Sequence, residues 1–321
     1  MNRMEDIMKK IIISFLTLVL LFMSLGTATY AWITMARTNI IDEITIYATL
    51  GADLEISLDG ENYYSELPAS LLYENIEKSC LLEVTTLDGI NFHHREEDVR
   101  VEKNRDYLSF DFYIRTDSIR EHEVYLANNI SNEISYEDVG KEGTYIISRG
   151  VKFKSPITFL YDIDDIVEAG EIRTYYASKA VRISTITEVD GEKRVKVFDL
   201  SGDEHRGYAK PYGATSYFNT RFNTELVLPE EGPKTFYKLS EFEEDAPFAL
   251  DDTSHILSLT ETMEVDGKTY YYGKVTVNIW LEGWDADLFD SVLKDRIKIQ
   301  LQFKAVRKWK NSLKKEKERE D

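Results

Sequence analysis

From residue 44 onward the chain is dominated by alternation of apolar and polar residues with period two, the signature of half-buried strands. Ile44, Ile46, Ala48 and Leu50 alternate with Thr45, Tyr47 and Thr49. Leu54, Ile56 and Leu58 alternate with Glu55, Ser57 and Asp59, and Asp59-Gly60 signals a hairpin. Leu81 to Leu87 ends in a second such signal, Asp88-Gly89. The clearest strand is Tyr107 to Thr116, with Leu108, Phe110, Phe112 and Ile114 facing one way and Ser109, Asp111, Tyr113 and Arg115 the other. Val124 to Leu126 is a short strand, and the polar, glycine-containing stretch 128–150 reads as loop.

Lys152 to Leu160 reads as extended and Asp162 to Ala169 as a short helix. Residues 172–187 alternate again, and Asp190-Gly191 turns them into Lys193 to Leu200. From 201 to 250 the chain makes a polar excursion without clear period, long for a loop in a compact domain. His255 to Glu261 and Tyr270 to Trp280 read as partner strands joined through Asp266-Gly267. Leu288, Phe289, Val292 and Leu293 share one face of a short helix that Asp285 or Asp287 would cap. Ile297 to Phe303 is the last strand. About ten short strands with almost no helix predict an all-β fold, an antiparallel β-sandwich. The pattern shows no internal repeat and no second hydrophobic span.

The opening of the chain differs in kind. Lys9 and Lys10 precede an apolar run from Ile11 to Met23, then small residues Gly26 to Thr29, then Tyr30-Ala31-Trp32. These are the parts of a secretory signal, and the stretch from Ile11 through the small residues is also long enough, at about 20 residues, to act as a transmembrane helix if uncut. Thr29 and Ala31 suit a cut between Ala31 and Trp32, whereas Trp32 would anchor an uncut form at the interface. Lys9 and Lys10 favour a cytoplasmic N-terminus, which puts the body outside the cell. The expected organisation is a signal peptide or membrane anchor over 1–31, an extracellular sandwich with long loops over 32–303, and a basic tail over 304–321.

Charge narrows the partners. With 58 acidic against 39 basic residues the net charge is -19, which argues against nucleic acid and suits a self-repelling surface outside a cell. The tail reverses the sign, with eight Lys or Arg against four acids. It reads as a solvated terminal helix built on Val306, Trp309 and Leu313, or as an adhesive for anionic lipid or wall polymer. The single cysteine, Cys80, makes no internal disulfide, which is ordinary for an exported bacterial protein.

Chemistry is sparse, and no catalytic residue or cofactor is predicted. The five histidines fall in no zinc spacing, Gly267-Lys268-Thr269 is a hairpin rather than a phosphate loop, and Cys80 has no activating motif. Asp162, Asp164 and Asp165 read as a solvated face. Glu282, Asp285 and Asp287 gather in one turn and are the calcium candidates, with capping and solvation as competing explanations. Tyr63-Tyr64, Tyr175-Tyr176 and Tyr270-Tyr271-Tyr272 would line a glycan or protein surface, although adjacent tyrosines in a strand send one to each face. A hydrolase built on two distant carboxylates would be legible only in the fold.

The passage Ala28-Thr29-Tyr30-Ala31-Trp32, running straight into a strand, resembles the leaders of exported surface and matrix proteins of Gram-positive bacteria related to camelysin and TasA. The passage from Val275 to Phe303 is similar to the ending of uncharacterised exported proteins of the same bacteria, with Leu288 where a cysteine often stands. The resemblance covers about a sixth of the chain. It implies a jelly-roll sandwich displayed outside the cell, and a fibre subunit in which residues 33–50 of one copy complete the sheet of the next. Camelysin is described as a metallopeptidase, and nothing in this sequence carries that activity over. The leading expectation is a non-enzymatic surface or biofilm-matrix protein, with a glycan- or wall-polymer-binding module as the alternative.

Overall fold

The computed structural model describes residues 10, 13–20, 39–48, 54–76, 81–95, 100–128, 133–243 and 248–307. It divides into two units, 1–38 and 39–321. In the first, residues 13–20 are helical (α1), and the Thr17 hydroxyl donates to the Ile13 carbonyl at 2.8 Å. Lys10 is an exposed helical residue. Among the described residues no helix is long and apolar enough to cross a membrane. Lys9, Ala31, Trp32 and Cys80 lie outside the described residues.

The second unit is built on strands. In chain order they are β1 (Ile40–Ala48), β2 (Leu54–Ser57), β3 (Glu83–Val84), β4 (Leu108–Thr116), β5 (His122–Leu126) and β6 (Tyr145–Ser148). Next come β7 (Val151–Lys154), β8 (Phe159–Asp162), β9 (Asp165–Val167), β10 (Ile172–Tyr175), β11 (Val181–Val189) and β12 (Glu192–Asp199). The last are β13 (Thr235–Phe236), β14 (His255–Leu259), β15 (Glu261–Val265), β16 (Lys268–Glu282) and β17 (Arg296–Arg307). Two helices interrupt them, α2 (Ala69–Ile76) and α3 (Ala214–Phe222).

An eight-stranded sheet runs β13-β12-β11-β16-β4-β2, with β15 and β3 also paired to β16. A five-stranded sheet runs β1-β17-β5-β14, with β6 also on β17. Both sheets feed one core, in which Phe112 and Ile114 of β4 and Val275 to Ile279 of β16 join Ile299, Leu301 and Phe303 of β17. The alternation in β4 lands as expected, with Leu108, Phe110, Phe112 and Ile114 buried. The sheets are not purely antiparallel: β1 runs parallel to β17, β13 to β12 and β3 to β16. Within β1 the register slips between Ile41 and Glu43. That bulge lets Ile41 and Ile44, three positions apart, both point inward.

Several local expectations are overturned. Asp162 to Ala169 is a hairpin of β8 and β9, because Leu160 pairs with Ile166 while Arg173 from β10 clamps Asp165. The stretch 128–150 contains β6, which adds to β17 through Ile297 to Gln300. The single strand expected over His255 to Glu261 is two strands, β14 on β5 and β15 on β16, that change sheets at residue 260. The helix expected after residue 287 is a 3-10 turn at Asp290–Val292, with Phe289 rather than an aspartate at its N-cap. β17 continues to Arg307 with Val306 buried, so the body extends past residue 303; residues 308–321 lie outside the described residues.

The four Asp-Gly signals divide into two pairs. Asp190-Gly191 and Asp266-Gly267 are two-residue hairpins with positive φ at both positions. Asp59 and Asp88 also sit in antiparallel reversals, closed by paired backbone bonds between Ile56 and Tyr64 and between Thr85 and His93, but the loops are longer and the aspartates cap them. In each, a hydroxyl two residues before (Ser57 or Thr86) binds the aspartate and the glycine N–H. The same aspartate accepts from the next two backbone amides and from an asparagine three residues on (Asn62 or Asn91). The sequence therefore does contain a short repeat, Ser/Thr-Leu-Asp-Gly-x-Asn, at 57–62 and 86–91.

Candidate functional site

The acidic turn after β16 is buried. Arg182 of β11 stands directly opposite Asp199 of β12 in the ladder, and its guanidinium lies 2.9 Å from that carboxylate. The same Nη2 bonds Asp285, 103 residues further on. Arg206 binds Asp287 at 2.8 Å and stacks 3.9 Å over the ring of Tyr161, whose hydroxyl donates to Asp287. Glu282 accepts from the Trp280 indole at 3.0 Å and from the Trp284 amide at 3.1 Å. Burial pushes Asp199 and Glu282 up and raises Asp285 to about 8, while the surrounding carboxylates keep Arg182 protonated despite its burial. The three calcium candidates thus face separate partners, two of them guanidinium groups. Among the described residues no three acidic, His or Cys side chains converge on a point. The cluster ties the long excursion to the sheet, since the Ala209 amide donates to the Trp284 carbonyl, Ala214 to Ala286 and Ala286 to Arg206.

Asp162 and Asp165 are likewise paired rather than merely solvated: Asp162 with His205 and Arg206, Asp165 with Arg173. A second polar cluster, invisible in the sequence, joins β5 to β14. His255 Nε2 lies 2.6 Å from Glu123 Oε2, and Ser258 donates to the same oxygen. Nε2 lies 3.5 Å from Ser258 Oγ. Through the one Glu123 oxygen that His255 and Ser258 share, the trio clamps two strands.

Polar and aromatic groups meet in the open on the outer face of the eight-stranded sheet. Tyr64, Tyr175 and Tyr271 pack on the core, and their neighbours Tyr63, Tyr176, Tyr270 and Tyr272 do not. Tyr63 and Tyr270 come from distant segments and clamp Arg115 of β4, with its guanidinium 3.8 Å and 4.3 Å from the two ring centres. Arg115 Nε also bonds Glu55 of β2 at 2.7 Å, so β2, β4 and β16 contribute to one stack. Next along β4, Tyr113 lies against Gly60 of the first capped loop and faces Lys274, which pairs with Asp111. No known protein family, curated protein or solved structure matches the chain. The site is a half-exposed tyrosine row interleaved with paired charges. The sequence shows the tyrosines, but not their convergence on Arg115, because no local period links residues 63, 115 and 270.

A cleft of about 390 Å³ lies over the seam between β1 and β17, lined among others by Glu43, Tyr47, Glu66, Lys141, Lys298 and Gln300. Gln300 crosses it to donate to the Tyr47 hydroxyl and to the Lys141 and Gly143 carbonyls. Burial pushes the Tyr47 hydroxyl up to about 12.

Proposed function

We propose that this chain is a non-enzymatic, exported cell-surface or matrix protein, a jelly-roll-like sandwich whose copies join by exchange of β1. The observation that supports the reading is the placement of β1. It is the end strand of its sheet, its ladder partner is β17, residues 65–67 bond its other edge at Ile46 and Ala48, and it delivers Ile41, Ile44, Ile46 and Ala48 to the core. A strand at the edge of a sheet, near one end of the chain and carrying its own set of core side chains, can seat equally well on the β17 of another copy. The leader supports export, and its likeness to camelysin- and TasA-type leaders supports a place on the cell surface.

The ladder supplies a direct test, because Thr45 stands opposite Gln300. In a Cys80→Ser background, Thr45→Cys and Gln300→Cys are placed in separate copies, which are unfolded, mixed and refolded. Exchange yields a disulfide-linked heterodimer and, in the parent protein, fibres by electron microscopy. Monodisperse monomers without cross-linked product would refute the reading. Mass spectrometry of protein recovered from cells tests the export limb: a mature N-terminus at Trp32 supports it, and a cytosolic chain beginning at Met1 refutes it.

A further inference from the structure

We infer that the open half of the outer face of the eight-stranded sheet, centred on Tyr63, Arg115 and Tyr270, binds a neutral glycan chain. The outer face falls into two halves. One is roofed by residues 92–95 and 100–107, where Phe92, Val101 and Tyr107 pack over Val84, Val197 and Trp280. There the ring of Phe92 stacks 4.1 Å from Tyr107 and meets Trp280 edge-on at 5.1 Å. The other half, over β2, β4, β16 and β15, carries the Tyr63–Arg115–Tyr270 stack, the Tyr113–Lys274 pair and Tyr272.

Charge selects the ligand. Each cation of this half is already neutralised beside its ring: Arg115 by Glu55, Lys274 by Asp111 and Lys268 by Asp117. A polyanion would find no uncompensated positive charge there. None of the large exposed apolar side chains belongs to β2, β4, β15 or β16, and the aliphatics that share this face, Met263 opposite Tyr270 and Val265 opposite Lys268, are half-buried, so rings rather than aliphatic anchors dominate it. What remains is ring faces beside fixed donors and acceptors, the complement of a pyranose with its apolar C–H face and rim of hydroxyls. Outward positions on β16 recur every about 7 Å, which sets Tyr270, Tyr272 and Lys274 in a row along an extended chain. The inference does not depend on strand exchange, since β1 lies in the other sheet.

The test is affinity electrophoresis of the purified full chain through gels containing mixed-linkage β-glucan, mannan or dextran, with polygalacturonate as the acidic polymer. Retardation by at least one neutral polymer is expected, unchanged from low to high salt. Tyr63→Ala and Tyr270→Ala are each expected to weaken it about tenfold, while Tyr63→Phe and Tyr270→Phe retain it and show that the fold is intact. Three results would each overturn the assignment: no retardation by any neutral polymer, retardation indifferent to both alanine variants, or retention by polygalacturonate alone that salt abolishes.

Discussion

The rings of Phe112 and Phe303 meet across the core with centroids 5.5 Å apart and planes tilted by 60°. Phe112 is on the central part of the eight-stranded sheet and Phe303 on β17 of the five-stranded one, so this aromatic contact joins the two sheets. Both rings are fully buried. Replacing Phe303 by alanine removes the contact and leaves a cavity between sheets that cannot close without shifting β17. A loss of about 3–5 kcal/mol is expected, measured by urea unfolding with the slope unchanged. Loss below about 1 kcal/mol would mean that the sheets are not held together here.

Gly213 is the tightest backbone approach near the acidic turn. Its φ is +62°, and a Cβ there would meet the Ala286 carbonyl oxygen at 2.2 Å. Neither side can yield, because the Ala214 amide donates to that same carbonyl and the Gly213 amide donates to Leu160. Gly213→Ala is therefore expected to cost well over 2 kcal/mol and to loosen the segment 204–214 in hydrogen exchange. By contrast Gly191→Ala, where the space is open, strains only its φ of +79° and should cost about 1 kcal/mol.

Burial of Asp285 makes stability depend on pH. Its folded value, about 8, lies above the ordinary carboxylate value near 3.8, so the folded state holds a proton that the unfolded state has lost. The contribution is fully present below pH 4 and disappears as pH rises towards 8, with a slope of at most about 1.4 kcal/mol per pH unit for one group. Asp199 and Glu282 are shifted in the same direction. The melting temperature is expected to fall between pH 5 and about 8 and then level off. Asp285→Asn, uncharged at every pH, should flatten that fall.

The repeated loops offer a matched pair. Gly89 sits on the sheet, where a Cβ would meet Val195 at 2.9 Å, and its carbonyl accepts from Ser184 at 2.7 Å. In the first loop Gly60 lies against the Tyr113 ring and Leu58 packs on the core, with Asp59 exposed. Both aspartates are held below the usual carboxylate range, Asp59 by its Asn62 bonds foremost and Asp88 by its loop hydrogen bonds against the opposing effect of burial. Asp88→Ala is expected to lower the melting temperature more than Asp59→Ala, since only the second loop anchors the roof over Trp280. Equal effects would show that docking adds nothing to the cap.

Much of the fold was legible because the pleat repeats every two residues and needs no distant information. That is how the inward faces of β4, β16 and β17, the strand at Ile44 to Ala48 and the β-rich class follow from the chain order of side chains. Hairpins at Asp190-Gly191 and Asp266-Gly267 were equally local. The reversals at Asp59-Gly60 and Asp88-Gly89 were legible too, since Ile56 bridges Tyr64 and Thr85 bridges His93, but their longer capped loops were not, because the deciding hydroxyl and asparagine lie outside the dipeptide.

Everything that depends on which segments meet was decided by the tertiary structure. The parallel seat of β1 on β17, the arrival of Arg182 at Asp285, and the clamping of Arg115 by tyrosines 63 and 270 join residues far apart in the chain. An acidic turn reads as solvated until an arginine from another strand buries it, because a carboxylate's environment, unlike its strand face, is set by its neighbours in space.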